Sequence, residues 1–129
     1  MKTFFADAYY LVARINRHEQ VIEFSKTFRG NIVTTDWILM EVADALSSSE
    51  FRDHLRTFFS HLRNSPHIEV IEASRESFDR ALNFFHRHDD KNWSLTDCTS
   101  FIVMRDRGIT EALTGDKHFV QAGFVPLFK

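Results

Sequence analysis

Short apolar runs rich in β-branched and aromatic residues alternate with longer segments whose apolar residues recur at helical spacing. The predicted strands are KTFFAD, NIVTT, HIEVIEA, ITEALTGD and, as a fifth, FVPLFK. The predicted helices are AYYLVARI, EQVIEFSKTFR, WILMEVADALS, EFRDHLRTFFSHLR, RESFDRALNFFHRH and SLTDCTSFIVMRDRG, with a helical turn in KHFVQAG. Such alternation favours an α/β fold with a central, largely parallel sheet of four to five strands flanked by helices on both faces.

Residues that favour helix ends stand at the boundaries of these segments. Gly30 and Gly108 follow the second and sixth helices, where glycine often occupies the position just past the end. Asp36 and Ser74 precede helical segments and are common N-cap residues. Pro66 separates the fourth helix from the third strand. The predicted elements therefore have defined limits.

The composition indicates one folded domain over residues 1–129, with 43% hydrophobic residues, 14 of them Phe. A single cysteine, Cys98, excludes an intramolecular disulfide and is typical of a reducing compartment. Asp7 and Arg14 interrupt the apolar N-terminal run too early for a secretion signal, and no segment has the roughly 20 apolar residues of a membrane span. We expect a cytoplasmic protein with no membrane association. The net charge of −2 does not by itself indicate nucleic-acid binding, although bound cations would change the local sign.

Four acids occupy comparable positions in the predicted sheet. Asp7 and Asp116 follow the first and fourth strands, and Asp97 lies in the first turn of its helix. Glu41 lies beside the apolar stripe of the third helix rather than opposite it. Ligands of parallel sheets bind at the carboxyl ends of strands, so we expect the four side chains to meet there. Each acid alone also has a simpler role, as a helix cap or a solvated side chain, and the sequence from Ser94 to Asp97 is close to a capping box.

A cluster of four carboxylates has defined chemistry. Like charges repel and raise one another's pKa unless a cation lies between them. Sites built only from oxygen ligands favour Mg²⁺ or Mn²⁺. Such ions polarise a phosphoryl oxygen and generate hydroxide near neutral pH. The quartet therefore predicts metal-dependent hydrolysis of a phosphodiester.

The segments FFADAYYLVA, TTDWILMEVADAL, SLTDCTSFIVM and ALTGDKHF, in this order, resemble PIN domains, and specifically the VapC-type ribonuclease toxins. The resemblance covers essentially the whole chain and implies a three-layer sandwich. It implies that Asp7, Glu41, Asp97 and Asp116 are the catalytic, metal-binding residues, with Thr114 as a polar residue beside them. It further implies a Mg²⁺- or Mn²⁺-dependent endoribonuclease that forms a homodimer and is neutralised by a small antitoxin protein. A role in RNA processing is the alternative to a toxin role.

The chain departs from the family pattern after the first acid. Many relatives carry Ser or Thr there, whereas this chain has Ala8 and Tyr9, which leaves one hydroxyl fewer around the metal. The RNA backbone must also meet positive charge. Five basic residues lie on or after segments that carry the acids or on the fourth helix: Arg14, Arg17, Arg52, Arg56 and Lys117. Of these, Arg14 and Lys117 are the candidate RNA-binding residues because of their proximity to Asp7 and Asp116.

Two further groups of residues have alternative interpretations. His86, His88, Asp89 and Asp90 suggest a zinc site, but their spacing does not match metallohydrolase ligand runs, and a solvated loop is favoured. Cys98 could be a nucleophile, but no base is paired with it in the sequence, which favours a small core residue.

The main alternative to a nuclease is a receiver-like regulatory domain, since it is also a parallel α/β sheet with clustered acids. Such a domain needs adjacent acids after its first strand and an Asp at the end of its third. This chain has only Asp7 after the first strand, and Glu72 after the third. The absence of a Gly-rich loop excludes Rossmann and P-loop nucleotide binding. A catalytically idle binding module with an acidic cation site also remains an alternative.

Overall fold

A parallel five-stranded sheet with strand order β3-β2-β1-β4-β5 forms the centre of the computed structural model, which describes residues 1–129. The strands are β1 (Thr3–Ala6), β2 (Asn31–Thr35), β3 (Ile68–Ile71), β4 (Glu111–Leu113) and β5 (Val125–Pro126). The helices are α1 (Ala8–Ile15), α2 (Glu19–Thr27), α3 (Asp36–Ala45), α4 (Arg52–Asn64), α5 (Arg75–Arg87), α6 (Leu95–Arg107) and α7 (Lys117–Gln121), with a 3₁₀ turn at Ser49–Phe51. The predicted α/β architecture of a parallel sheet flanked by helices is confirmed.

The first strand lies in the middle of the sheet, between β2 and β4. Phe5 is paired with Val33 of β2 on one side and with Ala112 of β4 on the other. The chain adds β2 and then β3 on one side, and after α5 and α6 it places β4 on the opposite side of β1. Strand order therefore reverses between β1 and β4, and the carboxyl ends of these two strands define the crevice in which such sheets bind ligands.

Aromatic side chains fill much of the core between the sheet and its helices. Phe101 of α6 packs edge-to-face against Phe119 of α7 and Trp93, with ring centroids 5.1 and 5.0 Å apart. Phe24 of α2 packs against Phe128 at 5.1 Å. Edge-to-face pairs add to the stabilisation from burial of these large rings. The short helix α7 is thereby anchored beneath the carboxyl end of β4.

The prediction that Gly30 ends α2 is wrong. The helix ends at Thr27, and Phe28 already has an extended backbone. Gly30 is needed for close packing instead, because a Cβ atom there would lie 2.9 Å from the rings of both Phe4 and Phe28. The ring of Phe4 in β1 and the ring of Phe28, just after α2, thus leave no room for a side chain at Gly30.

The prediction that Asp36 caps α3 is also wrong. Thr35, the last residue of β2, is the N-cap, and its hydroxyl accepts a 3.2 Å hydrogen bond from the backbone N–H of Ile38. Asp36 is the first helical residue, and its carboxylate accepts from the backbone N–H of Ala73 at 3.0 Å. Asp36 therefore joins α3 to the loop after β3.

Other predicted helix ends are confirmed. Ser74 caps α5 through a capping box that it forms with Ser77. Gly108 ends α6 in the left-handed conformation, with φ of 65°. The helices are all too short or too polar to cross a membrane.

Candidate metal centre

Thr114 joins the ends of the two central strands. Its hydroxyl donates a 2.7 Å hydrogen bond to Oδ2 of Asp7, which directly follows β1, and accepts one of 3.1 Å from the backbone N–H of Asp116. Thr114 is fully buried and Asp7 is 7% exposed. The predicted positions of Asp7 and Asp116 at neighbouring strand ends are thus linked by one buried hydroxyl group.

Asp97 forms the capping box that its sequence context indicates, and its carboxylate also contacts His118. Its backbone N–H donates to Oγ of Ser94 at 2.9 Å, and its Oδ2 accepts from the backbone N–H of Ser94 at 3.1 Å, which forms a capping box at the start of α6. The same Oδ2 lies 3.0 Å from Nδ1 of His118. Its Oδ1 has no hydrogen-bond partner within the protein and stays available for a ligand. The cap therefore orients the carboxylate toward the crevice.

The structure adds His118, which the sequence analysis missed. Asp116 caps α7 by accepting a 2.9 Å hydrogen bond from the backbone N–H of His118. The imidazole Nδ1 of His118 lies 3.6 Å from Oδ1 of Asp116. Asp97, Asp116 and His118 each offer one potential ligand atom, and these three atoms all lie within 4.8 Å of one another. An Asp followed two residues later by a His at the start of a helix was the available signal.

Glu41 lies on α3, which packs against both α1 and α6. The residue as a whole is exposed and forms no hydrogen bond or ion pair. Desolvation of its carboxyl group, reinforced by the negative charges of Asp7, Asp97 and Asp116, nevertheless raises its pKa to about 7. The fourth predicted acid therefore belongs to the same electrostatic cluster.

The same crowding affects Asp7. Burial raises its pKa to about 6, although the hydrogen bonds from Thr114 and from the Ala8 backbone act in the opposite direction. The charges of Asp97 and Asp116 raise it further. No Lys or Arg forms an ion pair with any of the four acids. An oxygen-rich cluster of negative charge without a Lys or Arg counterion fits a hard divalent cation.

The two candidate RNA-binding residues have different surroundings. The guanidinium group of Arg14 lies 6.0 Å from the ring centroids of Tyr10 and Phe58, between α1 and α4, and forms no ion pair with the acids. Lys117 is exposed, forms no ion pair and directly follows Asp116. Lys117 is therefore an unpaired positive charge that directly follows one of the four acids.

Tyr9 occupies one wall of this crevice. It is 39% exposed, and its ring lies so close to Gly115 that a Cβ atom there would be 3.0 Å from the ring Cζ. Gly115 stands between Thr114 and Asp116. Tyr9, one of the two residues that follow Asp7, thus packs against the segment that carries Asp116.

The two alternative candidates, a zinc site in the segment from His86 to Asp90 and a nucleophile at Cys98, are not supported by the structure. In the loop after α5, Nδ1 of His88 is 2.8 Å from the carbonyl oxygen of Phe84, and Asp90 pairs with Lys91. The side chains of this loop form no metal-ligand cluster. Cys98 is fully buried, and burial and the Asp97 charge raise its thiol pKa to about 11, so it is a core residue rather than a nucleophile.

The PIN domain model matches residues 4–125. The chain belongs to the PIN domain family. The predicted resemblance to PIN domains is confirmed.

Within the PIN domain family, the chain is similar to the 23S rRNA-specific endonuclease VapC20 of two Mycobacterium tuberculosis strains, CDC 1551 / Oshkosh and H37Rv. It is 38% identical to this protein over 64 residues, which is 50% of this chain and 49% of the relative. The match thus spans about half the length of the curated relatives.

Structural similarity extends further. The crystal structure of M. tuberculosis VapC20, a sarcin–ricin loop cleaving toxin, superposes with a TM-score of 0.82 at 26% identity and covers 95% of this chain and 96% of that one. FitAcB from Neisseria gonorrhoeae superposes with a TM-score of 0.66 at 11% identity, covers 98% of this chain and 96% of that one, and shares the fold alone.

Proposed function

We propose that this PIN domain is a Mg²⁺- or Mn²⁺-dependent endoribonuclease and the toxin of a type II toxin–antitoxin pair. The observation that supports the proposal is that Asp7, Asp97 and Asp116 are linked through Thr114 and His118 after β1 and β4, without a Lys or Arg counterion. The charges of these three acids also raise the pKa of Glu41. In the absence of a cation these carboxylates would repel an RNA backbone.

The protein groups have distinct tasks in this proposal. A bound Mg²⁺ or Mn²⁺ ion would polarise a phosphoryl oxygen and activate water for attack on the phosphodiester. Thr114 holds Asp7 in position through its 2.7 Å hydrogen bond, and Ser94 holds Asp97 through the capping box. Such supporting hydrogen bonds orient ligands and tune metal affinity. The exposed Lys117 would neutralise a substrate phosphate beside the cluster.

The proposed substrate is a structured loop of large ribosomal RNA. The support is the similarity to VapC20, which is described as 23S rRNA-specific and as cleaving the sarcin–ricin loop. We also propose that the chain forms a homodimer and is neutralised by a small antitoxin protein, as expected for a VapC-type toxin. Arg14, whose guanidinium group lies 6.0 Å from the ring centroids of Tyr10 and Phe58, is the weaker candidate for an RNA contact.

A cleavage assay tests the activity. The purified chain is incubated with an RNA hairpin that carries the sarcin–ricin loop, and with a hairpin of scrambled loop sequence, in Mg²⁺, Mn²⁺ or EDTA. We expect cleavage of the first hairpin with either metal and none with EDTA. Asp116→Asn should reduce the rate by more than the roughly 10- to 100-fold typical of lost outer-shell partners. Asp89→Asn, which changes an exposed loop acid, is the matched control and should keep full activity.

Cleavage that persists in EDTA, or that requires zinc, would contradict the proposal. The toxin role has its own test, which is growth of a bacterial host during induced expression. The wild type should arrest growth and Asp116→Asn should not. Normal growth with undiminished cleavage in vitro would favour RNA processing instead.

A further inference from the structure

We propose that His118 is a nitrogen ligand of the divalent ion, and that the centre therefore prefers Mn²⁺ and Co²⁺ over Mg²⁺. This inference rests on the proposed function, because it concerns the ion at the same acids. Imidazole is a ligand of transition metals, whereas Mg²⁺ strongly prefers oxygen. One imidazole ligand added to a set of carboxylates therefore shifts the metal preference of the centre from Mg²⁺ toward transition metals such as Mn²⁺ and Co²⁺.

The spacing of the ligand atoms supports this role. In His118, Nδ1 lies 3.0 Å from Oδ2 of Asp97 and 3.6 Å from Oδ1 of Asp116. Neighbouring ligands of an octahedral ion with bonds of about 2.1 Å lie about 3 Å apart, and opposite ligands about 4.2 Å apart. The 3.6 Å separation from Oδ1 of Asp116 lies between these two limits, and the potential ligand atoms of all three residues lie within 4.8 Å of one another. Because Oδ2 of Asp97 is held in the capping box, Asp97 would bind the ion through Oδ1. One ion can therefore contact all three side chains after small rotations.

The imidazole is also held in place before any ion arrives. The backbone N–H of His118 is fixed by Asp116, and the next residue, Phe119, is fully buried against the rings of Phe101 and Phe5. The His118 side chain is only 23% exposed, and the other ring nitrogen, Nε2, makes no hydrogen bond. A ring anchored in this way can present Nδ1 to the crevice with little loss of conformational freedom.

A purely structural role is the competing explanation. The contact between His118 and Asp97 could be an Nδ1–H hydrogen bond that only positions the carboxylate. His118→Asn separates the two roles, because the amide can still donate to Asp97 but supplies no nitrogen ligand. His86→Asn is the matched control, since His86 lies in the last turn of α5, is exposed and forms no hydrogen bond.

The experiment measures metal binding rather than activity. Calorimetry gives the affinities of Mg²⁺, Mn²⁺ and Co²⁺ for the wild type and both variants. Pulsed electron paramagnetic resonance of the Mn²⁺-loaded proteins detects coupling to a ligand nitrogen. We expect His118→Asn to weaken Mn²⁺ and Co²⁺ binding by about tenfold or more and Mg²⁺ binding much less. Nitrogen coupling should be present in the wild type and His86→Asn and absent in His118→Asn.

Failure of this inference differs from failure of the proposed function. If Mn²⁺ binds the wild type without nitrogen coupling while RNA is cleaved in a metal-dependent way, His118 is not a ligand and the nuclease proposal stands. If nitrogen coupling is present but no RNA is cleaved with any metal, the ligand assignment stands and the nuclease proposal fails. Equal Mn²⁺-to-Mg²⁺ preference in the wild type and His118→Asn would overturn the inference, and absence of all metal binding would overturn both.

Discussion

Replacing Asp7 by Asn removes a negative charge whose burial destabilises the metal-free fold. The residue is 7% exposed, and burial raises its pKa from 3.8 to about 6 despite the hydrogen bond from Thr114. The nearby charges of Asp97 and Asp116 raise the pKa as well. The amide of Asn can still accept the Thr114 hydroxyl but carries no charge.

The expected magnitude follows from this pKa shift. A shift from 3.8 to about 6 corresponds to about 3 kcal/mol at roughly 1.4 kcal/mol per unit. Because the folded-state pKa is raised, the favourable contribution of Asp7 is fully present below pH 3.8 and is lost as the pH rises through about 6. Between pH 4 and pH 8 the wild type should therefore lose about 2–3 kcal/mol that Asp7→Asn does not lose.

Urea unfolding in metal-free buffer at pH 4, 6 and 8, followed by the fluorescence of buried Trp93, measures this difference. The pH-independent effects of the amide cancel when the same variant is compared at two pH values. Asp89→Asn, which changes an exposed loop acid, should follow the wild type at every pH. If the difference in unfolding free energy between Asp7→Asn and the wild type is constant from pH 4 to pH 8, burial does not raise the pKa of Asp7.

Three further outcomes are expected. Thr114→Val removes the hydroxyl that donates to Asp7 and accepts from the Asp116 backbone N–H. It should lower the free energy of unfolding by about 1–3 kcal/mol in denaturant titration. An unchanged unfolding midpoint would show that these hydrogen bonds contribute nothing to stability. Gly108→Ala places a side chain at φ of 65° and should lower the free energy of unfolding by about 1 kcal/mol in the same assay, whereas Gly108→Asn should lower it less. If both variants are as stable as the wild type, the left-handed conformation at the end of α6 is wrong. Calorimetric Mn²⁺ affinity should rise from pH 5 to pH 8, because Asp7 and Glu41, with pKa values of about 6 and about 7, must lose protons to bind metal; a pH-independent affinity would exclude them as ligands.

Local patterns predicted the elements and the positions of the acids. Apolar runs and helical spacing identify the strands and helices, since burial on one face or both leaves a direct trace in the sequence. The sequence left open whether Asp97 caps a helix or binds a metal ion. The structure shows that the carboxylate can cap the helix and still have an oxygen free for an ion. The capping box uses Oδ2 and leaves Oδ1 without a protein partner.

The remaining features depend on contacts between distant segments. Gly30 is required by two rings, one of them from β1, and Asp36 is bonded to Ala73, 37 residues away. Thr35 serves as both a strand residue and a helix cap, which β-strand patterning cannot reveal. His118 meets Asp97 across 21 residues only because α7 is anchored by its buried aromatic residue. Periodicity carries no signal for a helix of five residues.

The stabilisation of the protein by Mn²⁺ tests the metal centre most directly. Ion binding at 100 times Kd stabilises the native state by about 2.7 kcal/mol, which for a chain of this size raises the melting temperature by roughly 10 °C. Thermal melts of the wild type, Asp97→Asn and Asp116→Asn in EDTA and in Mn²⁺ give the shift for each. We predict a clear rise for the wild type and the Asp89→Asn control, and a much smaller rise for Asp97→Asn and Asp116→Asn. Equal shifts in all four proteins would mean that Asp97 and Asp116 only cap their helices and that the proposed metal site is wrong.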